Sequence, residues 1–359
     1  MTATDALFAV PDVLSAEELA ATARFIADAQ RPDGQIPWYP GGHCDPWNHV
    51  EAAMGLTVAG HLEAARAAYQ WLARAQLGDG SWFNYYLGER VRDARLDTNV
   101  CAYVATGVYH HLLVTGDESL AAALWPTIEA AIDFALARQR PDGTVTWSLD
   151  AQGRGEGYAL LTGSSSVFFS VRCAATLARA LGRDRPDWIT AAGRLGHAIA
   201  HHPGAFAPKN EFAMDWYYPV LCGALTGERA AARFDQGVER HVMEGLGVRC
   251  VSTNDWVTAA ETAECALALD AMGETNRALG LFALTSRHRR EDGAYWTGLA
   301  YPGAVTFPPR EVTTYTAAAV LLAADALTSR TGAAGLFRHE GSGLVAVEDH
   351  PEPGCARRV

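Results

Sequence analysis

The sequence lacks the features that mark several large classes of protein. Its 359 residues carry 29 lysines and arginines against 41 aspartates and glutamates, a formal net charge of -12. An acidic surface argues against nucleic acid or anionic lipid as a partner. No apolar run approaches the roughly 20 residues of a membrane span, and residues 1–10 have neither the basic nor the apolar part of a signal peptide. We therefore expect a cytoplasmic protein without a membrane span.

Signals for metals, cofactors and disulfides are also missing. The seven cysteines form no CxxC pair and several lie in apolar helical stretches, which is typical of buried reduced thiols. There is no HExxH motif, and the adjacent pairs His110–His111 and His201–His202 would point in different directions on a helix. P-loop and Rossmann glycine motifs and a Gly-x-Ser-x-Gly nucleophile elbow are absent. The sequence therefore predicts no metal, no cofactor and no serine nucleophile.

What the sequence does contain is an internal repeat, the first signal to look for in a long chain. Four Asp-Gly pairs, each followed within a few residues by tryptophan, end at Gly34, Gly80, Gly143 and Gly293. Their separations are 46, 63 and 150 residues. Because the last gap is about three times the length of one unit, we infer two decayed copies between Gly143 and Gly293. The chain then has six units.

Each unit has the pattern of a helix pair. The first helix is amphipathic, as in residues 118–139, and ends at the Asp-Gly turn, where glycine can adopt the left-handed conformation. The second is apolar nearly all round, as in residues 313–327, which is typical of a helix buried on both sides. Six such pairs predict an all-α (α/α)6 toroid of six inner and six outer helices over residues 1–330. We expect no strands and an irregular C-terminal tail over residues 331–359.

The second helix of each unit opens with a polar or acidic residue that can cap it. If the inner helices run parallel, these residues converge on one mouth together with nearby aromatic rings. Capping alone can explain any single carboxylate. Carboxylates clustered in a low-dielectric cavity, however, raise one another's pKa, so that one can stay protonated and act as a general acid. The residues that this interpretation places at the mouth are Asp45, Trp47, Asn48, Trp82, Asp97, Asn99, Ser165, Asp215, Trp216, Tyr217, Asp255, Trp256, Trp296, Glu311 and Tyr315.

The repeat also carries a family resemblance. The segment Gln76-Leu-Gly-Asp-Gly-Ser-Trp82 matches the Q-x3-G-x-W motif of squalene-hopene cyclases, and the copies at Gln30 and Gln139 keep Q-x3-G. The chain thus resembles the superfamily of class II terpene cyclases and protein-prenyltransferase β subunits. In size it is similar to the monodomain class II cyclases.

This resemblance implies metal-free cyclisation of an isoprenoid-type substrate, a prenyl chain or a prenylated aromatic, taken up through a peripheral membrane contact. An aspartate at the start of an inner helix would protonate the substrate, and aromatic rings would stabilise the carbocation. The family's DxDD motif corresponds here to Asp93-Ala-Arg-Leu-Asp97-Thr-Asn99. By the resemblance, Asp97 is the proton donor, Asn99 its hydrogen-bond partner and Asp93 an assisting acid. A class II-like terpenoid cyclase is our leading hypothesis.

Two other functions remain open. A carbohydrate-active hydrolase or lyase would use two carboxylates across a cleft, and the aromatic rings would stack on sugars. A non-catalytic binder of isoprenoid or glycan would use the same cavity. A deep apolar cavity with one acid favours the cyclase, whereas an open polar cleft with facing carboxylates favours the glycosidase. The candidates for a facing pair are Asp97, Asp215, Asp255, Glu261 and Glu311.

Overall fold

A computed structural model of the chain describes residues 9–150, 152–339 and 343–350. The fold is an α/α toroid in which helices alternate between an outer and an inner layer. In chain order the helices are α1 (Ala16–Ala29), α2 (Pro46–Val58), α3 (Leu62–Ala75), α4 (Thr98–Ala102), α5 (Val104–Thr115), α6 (Glu118–Leu136), α7 (Leu161–Ala180), α8 (Pro186–His201), α9 (Ala213–Leu221), α10 (Gly227–His241), α11 (Ala259–Ala271), α12 (Thr275–Ala283) and α13 (Thr314–Thr328).

The inner helices form a closed ring. Around it, α2 packs on α5, α5 on α7, α7 on α9, α9 on α11, α11 on α13, and α13 returns to α2. Helices α4 and α5 are one inner helix interrupted at Tyr103. Helices α1, α3, α6, α8, α10 and α12 make up the outer layer. The prediction of a mostly helical α/α toroid is confirmed.

All inner helices begin at the same rim, which we call the mouth. The backbone N–H of Thr314, in the first turn of α13, donates to the carbonyl of Trp38 before α2 at 2.7 Å. The hydroxyl of Thr162, in the first turn of α7, donates to Asp215 Oδ1 in the first turn of α9 at 2.6 Å. Since first turns contact first turns, neighbouring inner helices run parallel, as the repeat predicts.

The absence of strands expected from the sequence is wrong. Within the described ranges there are nine short strands, too short to give a recognisable alternation. All nine lie in segments that lead from an outer helix to the next inner helix, so they surround the mouth. They are β1 (Tyr85–Leu87), β2 (Arg90–Asp93), β3 (Leu96–Asp97), β4 (Ser148–Leu149), β5 (Val242–Met243), β6 (Gly247–Arg249), β7 (Trp256–Thr258), β8 (Gly298–Ala300) and β9 (Val305–Thr306). Strands β1 and β2 form a hairpin, β3 pairs with β4, and β5 to β9 form an antiparallel sheet in chain order.

The N-cap residues predicted for the inner helices are confirmed at two helices and wrong at others. Asp45 and Asp97 are the N-caps of α2 and α4. Helix α11 begins four residues after Asp255 because strand β7 lies between them, and its N-cap is Thr258. Helix α13 begins three residues after Glu311, with Thr313 as N-cap. The polar residues singled out there belong to turns before the helix.

The Q-x3-G motif ties neighbouring outer helices together. The Gln76 side chain donates to the carbonyl of Gly80, closing its own turn at 2.9 Å, and to the carbonyl of Thr127 in the next outer helix at 2.8 Å. Gln30 and Gln139 make the same pairs of bonds. Helix α3 ends at Ala75, before the turn rather than at its glycine as expected, because Gln76 takes an extended conformation.

The tryptophan of this motif belongs to the hydrophobic core. Trp82 is fully buried, and its indole N–H donates to the carbonyl of Leu72 in its own repeat at 2.9 Å. It cannot bind substrate, contrary to the expectation from the sequence. The residues that carry the cyclase resemblance therefore hold the toroid together and take no part in chemistry.

The segment after α13 packs along the toroid. It contains a short 3-10 helix, Leu336–Arg338, and Val345 is buried, with its N–H donating to the hydroxyl of Thr176 at 3.0 Å. Residues 1–8, 151, 340–342 and 351–359 lie outside the described ranges, and with them most of the N-terminal segment and the end of the predicted tail. The division at residue 330 and the cytoplasmic location stay predictions.

Two further expectations concern thiols and membranes. Five described cysteines are buried and Cys250 is half-buried, all of them free thiols, as the sequence predicts; Cys355 is outside the described ranges. Helix α6 is long and apolar enough to cross a membrane by length and composition. However, 56% of its most apolar 18-residue stretch is buried inside the protein. Its apolar residues cover α4, α5 and α7.

The turn glycines give a test of the inter-repeat ties. Gly80 has φ +90°, and an added Cβ would lie 2.2 Å from the carbonyl oxygen of Ala130 in α6. We expect Gly80→Ala to lower the free energy of unfolding by about 2–4 kcal/mol, from backbone strain and overpacking. Gly78→Ala is the matched control, because its Cβ meets nothing within 4 Å. Urea unfolding followed by circular dichroism checks this, and equal shifts in both variants would contradict it.

Candidate active site

Two aspartates at the mouth share one arrangement. Asp45 and Asp97 each cap an inner helix through Oδ1, which accepts backbone N–H groups of the first turn. Each Oδ2 accepts an indole N–H, from Trp38 for Asp45 and from Trp147 for Asp97. The side chain of Asn48 also donates to Asp45 Oδ2, at 2.6 Å. Asp97 thus keeps more unused acceptor capacity on Oδ2 than Asp45 does.

Burial dominates the ionisation of both groups. It raises the pKa of Asp97 to about 6, against the opposing effect of hydrogen bonds from Val100, Trp147 and Asn99, and the charge of Asp45 adds to the rise. Burial also raises the pKa of Asp45, again against its hydrogen-bond donors. A carboxyl with a pKa near 6 can carry a proton close to neutral pH and deliver it to a bound molecule.

A third carboxylate stands across the mouth. Helix α11 lies opposite α4 in the six-membered ring, and Glu261 is in its first turn. Tyr315, in the first turn of α13, has a pKa raised mainly by burial and further by the charges of Glu261, Cys250 and Glu311. The Tyr315 ring contacts Trp38 at 5.2 Å between centroids. The mouth therefore brings carboxylates from α2, α4 and α11 into one site.

Below the mouth the barrel is closed by a polar floor. The Tyr103 hydroxyl donates to Glu51 Oε2 at 2.9 Å, and the Tyr217 hydroxyl donates to Glu264. Glu51 is six residues after Asp45, so the floor lies about 9 Å below the mouth. Burial raises the pKa of Glu51 to about 7, and it also raises the pKa of Glu264.

Little space remains within this floor. The enclosed cavity between Glu51, Tyr103, Tyr218 and Glu264 measures about 10 Å³, room for about one water molecule. A prenyl chain needs a far larger apolar chamber. The expectation of a deep apolar cavity beneath a single acid is therefore wrong.

An aromatic surface lies between floor and mouth. Trp47, at the start of α2, stacks on Tyr103 with ring centroids 4.6 Å apart and an interplanar angle of 18°. Its indole N–H reaches Ser166 in α7 at 3.5 Å. Both rings are buried, and they pack beside Asp45 and above Glu51.

Three residues expected at the mouth lie elsewhere. Ser165 is buried and donates to the carbonyl of Leu161 in its own helix at 2.8 Å. Trp216 points outward, where its indole N–H donates to the carbonyl of Arg233 in α10 at 2.9 Å. Trp296 lies beside Arg290, whose guanidinium is 4.7 Å from the ring centroid. A buried helix presents only one face to the ring axis, which proximity in sequence does not reveal.

Two acids expected at the site are ion-paired instead. Asp255 is exposed in the turn between β6 and β7 and pairs with Arg249 at 3.1 Å. Asp93 pairs with Arg95 at 2.6 Å, and this arginine lowers the pKa of Asp93 to about 2. A carboxylate so strongly held in its anionic form cannot assist protonation near neutral pH. The assisting role predicted for Asp93 is wrong.

The remaining expected residues lie at or just below the mouth. Asp215 accepts from Thr162, and burial raises its pKa. Glu311 Oε1 accepts the hydroxyl of Thr297 at 3.1 Å. The Oδ1 atom of Asn99 is buried without a hydrogen-bond partner, next to the caps of α4. Trp256 is half-buried on β7, and its indole N–H donates to the carbonyl of Phe307 at 2.9 Å.

Sequence reasoning missed several members of the site, namely Trp38, Glu51, Tyr103 and Glu264. A signal existed for the glutamates. Each is a charged residue inside an otherwise apolar inner helix, and a buried charge needs a hydrogen-bonding partner. The signal for Trp38 and Tyr103 was weaker, because an aromatic ring near a helix start is as often core as site.

One group of possible metal ligands exists in the described ranges, and it lies away from the mouth. His197 and His201 of α8 and Asp349 of the C-terminal segment have their ligand atoms within 4.8 Å of one another. His197 Nδ1 is 2.5 Å from Asp349 Oδ1. That no metal takes part at the mouth stays a prediction.

The toroid has the fold of several solved carbohydrate-active enzymes. Solved structures with this fold include a glycosidase variant in complex with glucose, with a TM-score of 0.70, 15% identity and coverage of 87% of this chain and 96% of that one. A GH63 mannosylglycerate hydrolase from Thermus thermophilus, in complex with Tris and D-glycerate, gives a TM-score of 0.69 at 14% identity, covering 87% and 100%. A D-mannose isomerase gives 0.64 at 12% identity, covering 86% and 96%. At these identities the likeness shows the fold alone.

A relative at much higher identity shows the family to which the chain belongs. The MMP endo-(1,4)-3-O-methyl-α-D-mannosidase of Mycolicibacterium hassiacum is 52% identical over 334 residues, 93% of this chain and 92% of the relative. The chain belongs to the family of this mannosidase. No protein-family model matches it.

These findings overturn the cyclase hypothesis. The family is that of a glycosidase, so the resemblance to class II terpene cyclases and prenyltransferase β subunits does not extend beyond the toroid. The relative is named as a glycosidase, which favours the carbohydrate-active alternative over the cyclase. The expectation of an isoprenoid substrate is wrong, and the reason to expect a membrane contact for isoprenoid uptake is removed with it.

The paired indoles give a test of the ionisation at the mouth. We expect Trp147→Phe to raise the pKa of Asp97 above about 6, because the anion loses a hydrogen-bond donor. Trp38→Phe is the matched control, since that indole donates to Asp45. Carboxyl ¹³C chemical shifts followed through a pH titration measure both. An unchanged Asp97 pKa in Trp147→Phe would show that the indole does not stabilise the anion.

Proposed function

We propose that this chain hydrolyses (1,4)-linked 3-O-methyl-α-mannoside chains by endo attack, with Asp97 as general acid and Glu261 as general base. The observation that carries the proposal is that these two carboxylates stand on opposite inner helices of one mouth, within a family whose 52%-identical relative is an endo-mannosidase. The sugar and the endo mode of attack come from the relative's name.

The surroundings of Asp97 suit it to the role of general acid. Burial raises its pKa to about 6, so a protonated fraction is present near neutral pH. Its Oδ1 is occupied by two backbone N–H groups of α4, which leaves Oδ2, opposite these caps, to carry the proton. General acids in glycosidases have raised pKa values for the same reason.

The position of Glu261 suits it to the role of general base. Opposite axes in a ring of six helices packed 8–10 Å apart are about 16–20 Å apart. Two first-turn carboxylates reaching inward leave a gap of roughly 5–9 Å between them. Separations of about 6.5–9.5 Å leave room for a water molecule and are typical of inverting enzymes.

The reaction then follows in one displacement. Glu261 accepts a proton from a water molecule, whose oxygen forms the new bond to the anomeric carbon. The bond from that carbon to the leaving glycosidic oxygen breaks, and Asp97 gives its proton to this oxygen. Water is consumed, and each carboxyl ends with the opposite protonation from its starting state.

Other mouth residues hold the sugar. Asp45 is buried and accepts three hydrogen bonds, so it holds Trp38 and the start of α2 in place beside the sugar. Trp47, stacked on Tyr103 and 8% exposed, offers the part of its ring that reaches solvent as an apolar contact for a sugar ring. Asp215 and the buried Oδ1 of Asn99 add acceptors on the side of α9 and α4.

Substitution of the acid and the base tests the proposal directly. We expect Asp97→Asn and Glu261→Gln each to lower kcat by about 10²–10⁴-fold, the usual contribution of one acid or base. Asp255→Asn, which affects only an exposed ion pair, is the control and should keep wild-type kcat. Release of reducing ends from a 3-O-methylated (1,4)-α-mannoside oligomer measures the rates. Near-normal turnover by either site variant would reject its assignment.

Product stereochemistry tests the water-mediated mechanism. Hydrolysis of an α-mannoside with inversion gives the β-anomer first, because water attacks the face opposite the leaving group. Proton NMR spectra recorded in the first minutes of reaction distinguish the two anomers before mutarotation. Initial formation of the α-anomer would mean a covalent intermediate, and Glu261 would then be a nucleophile.

A further inference from the structure

The mouth is bordered by exposed apolar side chains. In the described parts of the chain, the large hydrophobic residues with high exposure are Leu87, Val91, Phe212, Val305 and Phe307, with exposures from 38% to 63%. All five lie in the segments that lead into inner helices. Single exposed apolar residues scattered over a surface need no explanation, and a binding surface requires at least two of them on one face.

Leu87 and Val91, on the β1–β2 hairpin, do not form one surface. Val91 pairs with Tyr86 and Leu87 pairs with Arg90, and side chains at neighbouring positions of a strand pair point to opposite faces. Val91 therefore shares the face of the buried Tyr86, and Leu87 lies on the other face. Phe212 stands alone before α9. Only Val305 and Phe307 remain as a pair.

The sheet rim, Val305 and Phe307, stands on the base side. Strand β9 pairs with β8 and β8 with β7, and β7 ends at Thr258, the N-cap of α11. Glu261 follows in the first turn of that helix. The sheet thus extends the mouth outward on the side of Glu261.

The sheet rim is held in place from behind. The Trp256 indole N–H donates to the carbonyl of Phe307 at 2.9 Å, and the two rings meet edge to face at 5.3 Å between centroids. Phe307 is about half exposed in spite of this contact. Its ring is therefore fixed beside the mouth with one face open to a ligand.

We propose that the sheet rim binds the 3-O-methyl group of a sugar that flanks the bond to be cleaved. This inference rests on the proposed function. An unmethylated mannoside offers a hydroxyl at this position, which gains nothing from Val305 or Phe307. A methyl group buried against such side chains is worth about a fourfold gain in affinity. A lipid surface is disfavoured as the occupant by the net charge of -12.

The test compares two substrates of equal length, a 3-O-methylated and an unmethylated (1,4)-α-mannoside oligomer. We expect the wild type to prefer the methylated oligomer in kcat/KM by about fourfold for each methyl group it buries. The double variant Val305→Ser/Phe307→Ser should lose most of this preference and keep the rate on the unmethylated oligomer. Ala231→Ser, exposed near the start of outer helix α10, is the control.

Equal losses on both substrates, or an unchanged preference in the double variant, would overturn the inference. A binding measurement separates this test from the test of the proposed function. Calorimetric affinities of the two oligomers for Asp97→Asn, with and without the double substitution, measure methyl recognition without turnover. If the wild type hydrolyses neither oligomer but methyl-dependent binding is lost in the double variant, the proposed hydrolysis fails and the assignment of the sheet rim stands.

Discussion

The structure depends on one constraint, the closure of six parallel inner helices into a ring that turns all their N-termini to the same rim. Each N-terminus presents unpaired backbone N–H groups and the positive end of a helix dipole. Asp45 and Asp97 satisfy those groups at two neighbouring helices. Because all the N-termini lie at one rim, an aspartate that caps an inner helix also lies beside other carboxylates at the mouth.

The ring is held from outside by the Q-x3-G turns. Each glutamine bridges its own turn to the next outer helix, and each turn glycine lies against the backbone of that helix. The glutamine and the glycine are required because one helix pair packs on the next. This requirement is the same whatever the barrel contains. For this reason the motif predicted the fold correctly and the chemistry wrongly: the toroid imposes the same packing requirement on terpene cyclases and on the family of this chain.

What separates the two chemistries is the depth and polarity of the barrel. Glu51 and Glu264, with their tyrosine partners, close the axis about 9 Å below the mouth. A carbocation cascade would need that space for hydrocarbon. A sugar held at the rim, between Trp47 on one side and carboxylates on the other, does not. The short strands around the mouth then widen the rim into walls that can contact neighbouring sugars.

The sequence by itself determined the helical toroid, the six-unit repeat, and the capping roles of Asp45 and Asp97, because these follow from hydrophobic period and local backbone chemistry. Only the tertiary structure decided that Asp93 and Asp255 are neutralised by arginines, that Trp82 and Ser165 are core, and that Glu261 stands opposite Asp97. These outcomes depend on which face of a helix meets the axis and on partners distant in the chain. Local patterns carry no information about either.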